Sequence, residues 1–390
     1  MKMVELIFWV SLLLMLHSYV IYPLILHFLG RRKKININVF SQNDDLPNVA
    51  ILLAVHNEEE VIEEKIKSTF DTNYPLEKLE LLIGSDNSTD NTNSIVQSIG
   101  YQNNKVKLYE HSERQGKAEV IYNLSQQTDT EILILTDANV IFQKDTILEL
   151  TKHFKNNKIG LVAGNIINKE HKLSGISLQE KSYLVYEKRI KFLEGVVWGT
   201  MIGAFGGCYA IRKENYARVP EKFLMDDFYI SMNVLKQGKK TIQEMNAVCW
   251  EDVSDKISEE FRRKVRISAG NFQNLSVYKS LLWPPFSKVS FSFFSHKVIR
   301  WIGPFLLLIM LASCFLLSKI FDFYLDLLAI QLCLIALVVF DLLLKILNIH
   351  LKLLRFASHF YLMNLALLVG FVKYLKGVET NVWKPTLRNQ

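Results

Sequence analysis

Residues 48–60 read NVAILLAVHNEEE, residues 79–92 read LELLIGSDNSTDNT, and residues 131–139 read EILILTDAN. Each begins as an apolar run of strand length and breaks off into acids, amides and hydroxyls. A helical pattern follows the first, through Ile66 and Phe70, and a helix is expected from Thr92 after the second. Val106 to Tyr109 reads as a further strand between them. Continuous apolar strands alternating with helices predict a parallel sheet covered on both faces. Ligands of such sheets lie beyond the carboxyl ends of the strands, so the polar tails are where function is expected.

Four tails stand out: His56/Asn57/Glu58, Asp86/Asn87, Arg114 to Lys117, and Asp137/Asn139. Taken singly, Asp, Asn and Ser after a strand are turn formers or helix caps. Together they offer carboxylates for a hard cation, cations for phosphate and flat polar groups for a base, which is what a nucleotide-diphosphate site requires.

Around this acidic centre the composition changes. The chain has 390 residues, 49% hydrophobic and 22% charged, with only 8 Pro, which excludes general disorder. Its net charge of +7 is unevenly placed: residues 1–40 carry about +4, residues 279–390 about +8, and residues 41–278 about −5. A nucleic-acid binder needs a basic face, so no nucleic acid is expected as a partner. The basic excess flanks the most apolar stretches, as in membrane proteins.

Leu6 to Leu29 carries no charged residue and as a helix is about 36 Å long, enough to cross a hydrocarbon core of roughly 30 Å. Arg31, Arg32, Lys33 and Lys34 follow it and place the next residues in the cytosol. Trp301 to Ser318 and Leu327 to Leu344 read as two more spans. Phe360 to Val372 is shorter between its charged or imidazole flanks and reads as interfacial or re-entrant, and Pro284 to Arg300 reads as interfacial. Membrane lipids are therefore expected partners. The expected organisation is an anchor at 1–34, a catalytic domain at 47–278, an interfacial segment at 284–300, membrane helices at 301–376 and a tail at 377–390. Cys208, Cys249, Cys314 and Cys333 show no metal-site spacing, and neither GxGxxG nor a P-loop is present.

From about Pro47 to Gln273 the sequence resembles family 2 glycosyltransferases, inverting membrane-associated enzymes with the GT-A fold, a Rossmann-like domain that binds nucleotide sugars. VAILLAVHNEEE resembles that family's opening strand, SDNSTDNT its acidic loop, and RQGKAEVIYN (114–123) its Arg-x-Gly-Lys-Ala motif. LTDAN resembles the strand ending in DxD, GAFGGCYAIRKE (203–214) the glycine-rich acceptor segment, and LMDDFYISMNVLKQGKK (224–240) the Glu-Asp motif. RRKVRISAGNFQNL (262–275) occupies the QxxRW region. Ala54, Ser85 and Asn139 depart from the family's Pro, first Asp and second DxD Asp. Asp226 stands for Glu, and Arg263 and Ile267 replace Gln and Trp, the latter an aromatic platform associated with processive members.

The resemblance implies Asp227 as the base that deprotonates an acceptor hydroxyl, with Asp226 beside it. It implies His56, Asn57, Glu58, Asp86, Lys117, Asp137, Arg263 and Arg266 around a nucleotide-sugar donor, with uridine as the expected base. Asp137 and Asn139 would hold Mg²⁺ or Mn²⁺, Asp137 being the indispensable ligand because an amide oxygen brings no charge. Gly206 and Gly207 would permit close approach of a saccharide or lipid-linked acceptor, and Trp198 could stack on a sugar. Asp226 and Asp227 also suit the start of a helix over Tyr229 to Leu235, and the basic cluster at 262–266 also suits a solvated helix face. The expected activity is transfer of a sugar in cell-surface glycan synthesis, at the cytoplasmic membrane with the catalytic domain in the cytosol. Single transfer and polymer extension stay open, as does a catalytically silent membrane scaffold that keeps the nucleotide fold.

Overall fold

A computed structural model describes the protein except residues 36, 42–43, 169–176, 252–256, 348–350 and 381–390. Most of the expected tail at 377–390 thus lies outside the described residues. The chain divides into two compact units: Leu29–His171 with Lys188–Asp255 (and 379–390), and Met1–Phe28 with Lys172–Glu187 and Lys256–Val378.

The first unit holds an eight-stranded sheet of order β3-β2-β1-β4-β7-β6-β8-β5. Its strands are β1 (Val49–Val55), β2 (Leu79–Asp86), β3 (Val106–His111), β4 (Ile132–Thr136), β5 (Val140–Phe142), β6 (Ile159–Asn168), β7 (Cys208–Arg212) and β8 (Lys240–Glu251). The four strands expected from the sequence form the parallel half, β3-β2-β1-β4. β7 then runs antiparallel between β4 and β6, while β8 pairs parallel with β6 and antiparallel with β5. The sheet is mixed and mostly parallel.

β1 is buried along its whole length and feeds two cores. Val49, Ile51, Leu53 and Val55 join Ile62, Ile66, Leu81 and Ile83 on one face. Ala50, Leu52 and Ala54 join Leu82, Val120, Leu124, Leu133, Ile230 and Val234 on the other. The period of two in a strand divides one apolar run between both faces, and each large side chain so buried contributes about 1.5–3 kcal/mol. Gly84 lets the helix Lys117–Ser125 lie directly on β2: a β-carbon there would sit 2.3 Å from Val120 Cγ1.

The second unit is helical. Lys2–Gly30, Asp322–Leu344 and Leu354–Lys376 are long and apolar enough to cross a membrane. Three sequence expectations fall on this unit. The segment Phe360–Val372, read as interfacial or re-entrant, lies in the middle of a helix from Lys352 to Lys376, which continues through its flanking polar residues. The span expected at Trp301–Ser318 is a 15-residue helix, Gly303–Leu317, about 22 Å long and too short to cross unaided. It joins the expected interfacial stretch, now Lys288–Trp301, across a 62° bend. Finally, the helix Ile257–Tyr278, expected in the catalytic domain, groups with the apolar helices. Ser268 Oγ donates to the Leu367 carbonyl (2.9 Å), and the rings of Phe272 and Phe371 lie 4.9 Å apart.

Within this unit Glu187, almost fully buried, accepts from Arg300 (3.0 Å), bonds His296 Nε2 (3.0 Å) and pairs with Lys297. Burial alone would raise its carboxyl, but the three basic neighbours win and hold it well below the usual range.

Candidate active site

β1, β2 and β4 are adjacent and parallel, so their carboxyl ends share one edge of the sheet. His56 and Asn57 follow β1, Asp86 closes β2 and Asp137 follows β4. Because β7 runs antiparallel and pairs its first residue, Cys208, with Thr136, the preceding Gly206 and Gly207 reach the same edge. The Gly207 carbonyl accepts from Asp137 N (3.3 Å) and Thr136 Oγ1 (3.0 Å).

The loops after β1 and β2 are laced together. Asn57 has φ +55° and accepts at Oδ1 from Thr89 N (2.8 Å), its own N–H going to Ser88 Oγ (3.2 Å). Glu58 N donates to Thr92 Oγ1 (2.9 Å), Glu59 N to Asp90 Oδ2 (3.1 Å), and Glu59 Oε2 accepts from Asn91 N (2.9 Å). His56 Nδ1 bonds the Asp86 carbonyl at 2.9 Å. Asp86 itself is fully buried, and its carboxylate accepts from Arg114 Nε (3.0 Å), Gln115 N (2.6 Å) and Gly116 N (3.1 Å). In this structure Asp86 shapes the loop that delivers Lys117. Gly116, at φ +88°, makes that turn possible as the residue capping the helix.

Lys117 is the hub of the charges. Its ammonium pairs with Asp137 Oδ1. Burial would lower the Lys117 pKa, yet the carboxylates of Asp137, Asp226 and Asp227 outweigh it and push the ammonium above its ordinary range. Acids from distant parts of the chain therefore act on one cation. Asp226 and Asp227 are the first two residues of the helix Asp226–Lys236, whose N-cap is Met225, so both sit where the helix dipole favours a carboxylate. Asp227 Oδ1 accepts from Phe228 N (2.7 Å). Burial first, and the Asp226 charge second, push Asp227 up to about 6, against the opposing influence of the Phe228 N–H, Lys117 and Lys191.

Three participants escaped the sequence reading. Lys191, almost fully buried, sits with Nζ 3.5 Å from the centre of the Phe205 ring and is among the cations acting on Asp227. Tyr209 on β7 is raised well above its usual range by burial and then by Asp226. Lys65 is wholly buried beneath the Asp137 turn. Only Lys65 left a signal: it falls on the same helix face as the apolar Ile62 and Ile66. Trp198 is half-buried at the end of the helix Ser177–Val197, its backbone N–H on the Glu194 carbonyl (3.1 Å). Arg263 and Arg266 are exposed on Ile257–Tyr278, in the helical unit.

Asp137 and Asn139 flank the buried Ala138 in one turn and are both half-buried. Among the described residues no three His, Cys, Asp or Glu side chains gather as a ready-made metal cage. An incomplete set of oxygen donors fits a hard cation that takes its remaining ligands from water and phosphate, as Mg²⁺ and Mn²⁺ do.

A mostly parallel mixed sheet with its acids and a Gly-rich turn gathered at one edge is the GT-A glycosyltransferase architecture. Residues 50–218 match the family model "Glycosyl transferase family 2". It is 29% identical over 247 residues to a poly-β-1,6-N-acetyl-D-glucosamine synthase of Staphylococcus aureus (strain COL), covering 62% of this chain and 58% of that protein. It is 26% identical over 257 residues to the synthase of the same name from Staphylococcus epidermidis, covering 64% and 61%. The match thus spans less than two thirds of either relative. In fold it is similar to the mannosyltransferase PcManGT from Pyrobaculum calidifontis, solved with GDP-Man and Mn²⁺, at a TM-score of 0.69 and 20% identity over 95% of this chain and 99% of that one.

Proposed function

We propose that the protein is a membrane-bound inverting glycosyltransferase that moves a sugar from a nucleotide sugar, with UDP as carrier, to a saccharide or lipid-linked acceptor in cell-surface polysaccharide synthesis. The observation that carries this reading is the convergence of Asp137, Asp226 and Asp227 on Lys117 at the edge where β1, β2 and β4 end.

Breaking the anomeric C–O bond leaves negative charge on the diphosphate, which preorganised positive charge must meet. Lys117 would hold the phosphates, and Asp137 with Asn139 would hold Mg²⁺ or Mn²⁺, which when bound neutralises the same charge. On the other face of the sugar, Asp227 accepts the proton of the attacking hydroxyl. A carboxyl near 6 is a stronger base than an ordinary aspartate yet ionised at neutral pH. One displacement converts an α-linked donor into a β-linked product. His56, Asn57 and Glu58 would border the nucleotide, and Gly206 and Gly207 the acceptor. The long apolar helices and the cations after Gly30 support a multi-pass protein of the cytoplasmic membrane with the sheet unit in the cytosol.

The test is to incubate the full chain in detergent with UDP-N-acetylglucosamine, UDP-glucose and GDP-mannose, with Mg²⁺ or Mn²⁺. Released nucleotide, product mass and anomeric configuration would be measured. The relatives' names make the first donor the expected substrate. Nucleotide binding without turnover of any donor would instead support a silent scaffold.

A further inference from the structure

Lys65 lies on the buried face of the helix Ile62–Phe70 and is fully enclosed. Its ammonium donates to Thr136 Oγ1 (2.9 Å) and to the Val140 carbonyl (2.5 Å), and rests 3.4 Å from the centre of the Phe142 ring. Both acceptors are uncharged, and they stand at the two ends of the turn Asp137-Ala138-Asn139. Thr136 Oγ1 passes the link on to the Gly207 carbonyl (3.0 Å), next to the glycine that borders Asp227. Within the turn, Val140 N donates to the Asp137 carbonyl at 3.2 Å.

An apolar side chain of this length would fill the same space without taking a charge out of water, which carries a desolvation cost. The ammonium therefore calls for a reason beyond packing, and its geometry supplies one. A lysine has three donor directions, and here two hydrogen bonds and an aromatic face use them to clamp the strand before the turn to the strand after it.

Building on the function proposed above, we infer that Lys65 is a positioning residue that clamps the 136–140 turn and so presents Asp137 and Asn139 at the donor's diphosphate. It touches neither substrate nor cation; it acts through Thr136 and Val140. A turn held at both ends offers its oxygens preorganised, whereas a turn that loses the link between its two ends must be ordered further by the ligand, which lowers affinity.

The test uses the full chain and K65M in detergent. Hydrogen exchange of the 137–142 amides without metal or donor is expected to be at least tenfold faster in K65M. Mn²⁺ binding in the presence of UDP, read by electron paramagnetic resonance, should weaken at least tenfold, while kcat at saturating Mn²⁺ changes much less. The thermal midpoint of K65M should fall by only a few degrees, so that the loss of metal affinity and the faster local exchange exceed any global loss of stability, separating this role from a merely structural one. Should K65M not fold, T136V removes the same hydroxyl link and is expected to speed exchange likewise. Exchange within twofold of the parent in whichever variant folds overturns the clamp. The exchange readout needs neither donor nor turnover. A parent that binds no Mn²⁺ with UDP would therefore defeat the proposed function, while the exchange rates would still decide for or against the clamp.

Discussion

Gly206 faces the carboxylate of Asp227 so closely that a β-carbon on the glycine would lie 3.0 Å from Asp227 Oδ2 and 3.3 Å from its Cγ. The backbone of the glycine-rich segment thus forms one wall of the place where the proposed base works. Gly206 has no left-handed conformation to maintain, so the constraint is space alone.

Gly206→Ala should push Asp227 by a few tenths of an ångström. Because a small displacement of a positioned group is felt strongly in the rate, kcat is expected to fall by about tenfold or more. Stability should change by about 1 kcal/mol or less. Steady-state kinetics alongside thermal unfolding separates the two, and an unchanged kcat would show that the wall is not in contact with the chemistry.

Asp227 is protonated below about pH 6, and a protonated carboxyl cannot take the acceptor's proton. Transfer is expected to rise with pH through that value. Asp226→Asn removes a charge that raises Asp227 and should move this limb to lower pH, whereas Lys117→Met removes one that lowers it and should move the limb higher. A limb that stays in place in both variants assigns the titration to another group.

Asp227→Asn should stop transfer, by about 10²- to 10⁴-fold, with donor binding near normal. It carries a second consequence. The folded protein raises this carboxyl from 3.8 to about 6, so between those values the folded state holds more protons than the unfolded one, and stability falls as pH rises. The Asn variant should therefore unfold at a higher temperature than the parent at pH 7, the difference vanishing near pH 4. Equal midpoints at both pH values would contradict the shift.

Asp137→Ala should abolish both turnover and the response to Mn²⁺, while Asn139→Asp, which adds a charged oxygen, should tighten Mn²⁺ binding. Titration of metal binding with UDP present measures both. Metal-stimulated activity surviving in the alanine variant would place the cation elsewhere.

Gly84→Ala forces a β-carbon into Val120 and Leu124 and should lift the helix Lys117–Ser125 off β2. Overpacking of this kind costs about 1–3 kcal/mol, and because Lys117 begins that helix, donor KM should rise with it. Chemical denaturation gives the first quantity and donor saturation the second.

Much of the fold could be read locally. The apolar runs at 49–55, 79–83 and 132–135 are strands in the structure, in parallel, because a strand buried on both faces needs only its own composition to declare itself, and the part-exposed run at 106–109 pairs beside them as the edge strand β3. Helix starts at Thr92 and ahead of Tyr229 were similarly visible. The apolar helices were harder: a run of apolar residues does not reveal a bend at Ile302, nor that Lys352 to Lys376 continues as one helix through its polar ends.

That acids, glycines and a lysine follow the strands is written in the order of residues, and with it the expectation that a sheet edge carries the chemistry. How these groups face one another depends on the folded arrangement. The antiparallel insertion of β7 carries Gly206 and Gly207 to the end of β4, and the buried carboxylate of Asp86 is spent on the loop that carries Lys117. It also sets Lys65 beneath Asp137 and Lys191 near Asp227, both withdrawn from water. Strand propensity is a property of a few neighbouring residues, whereas a charge's environment is the sum of groups brought together from across the chain, and that sum exists only once the chain has folded.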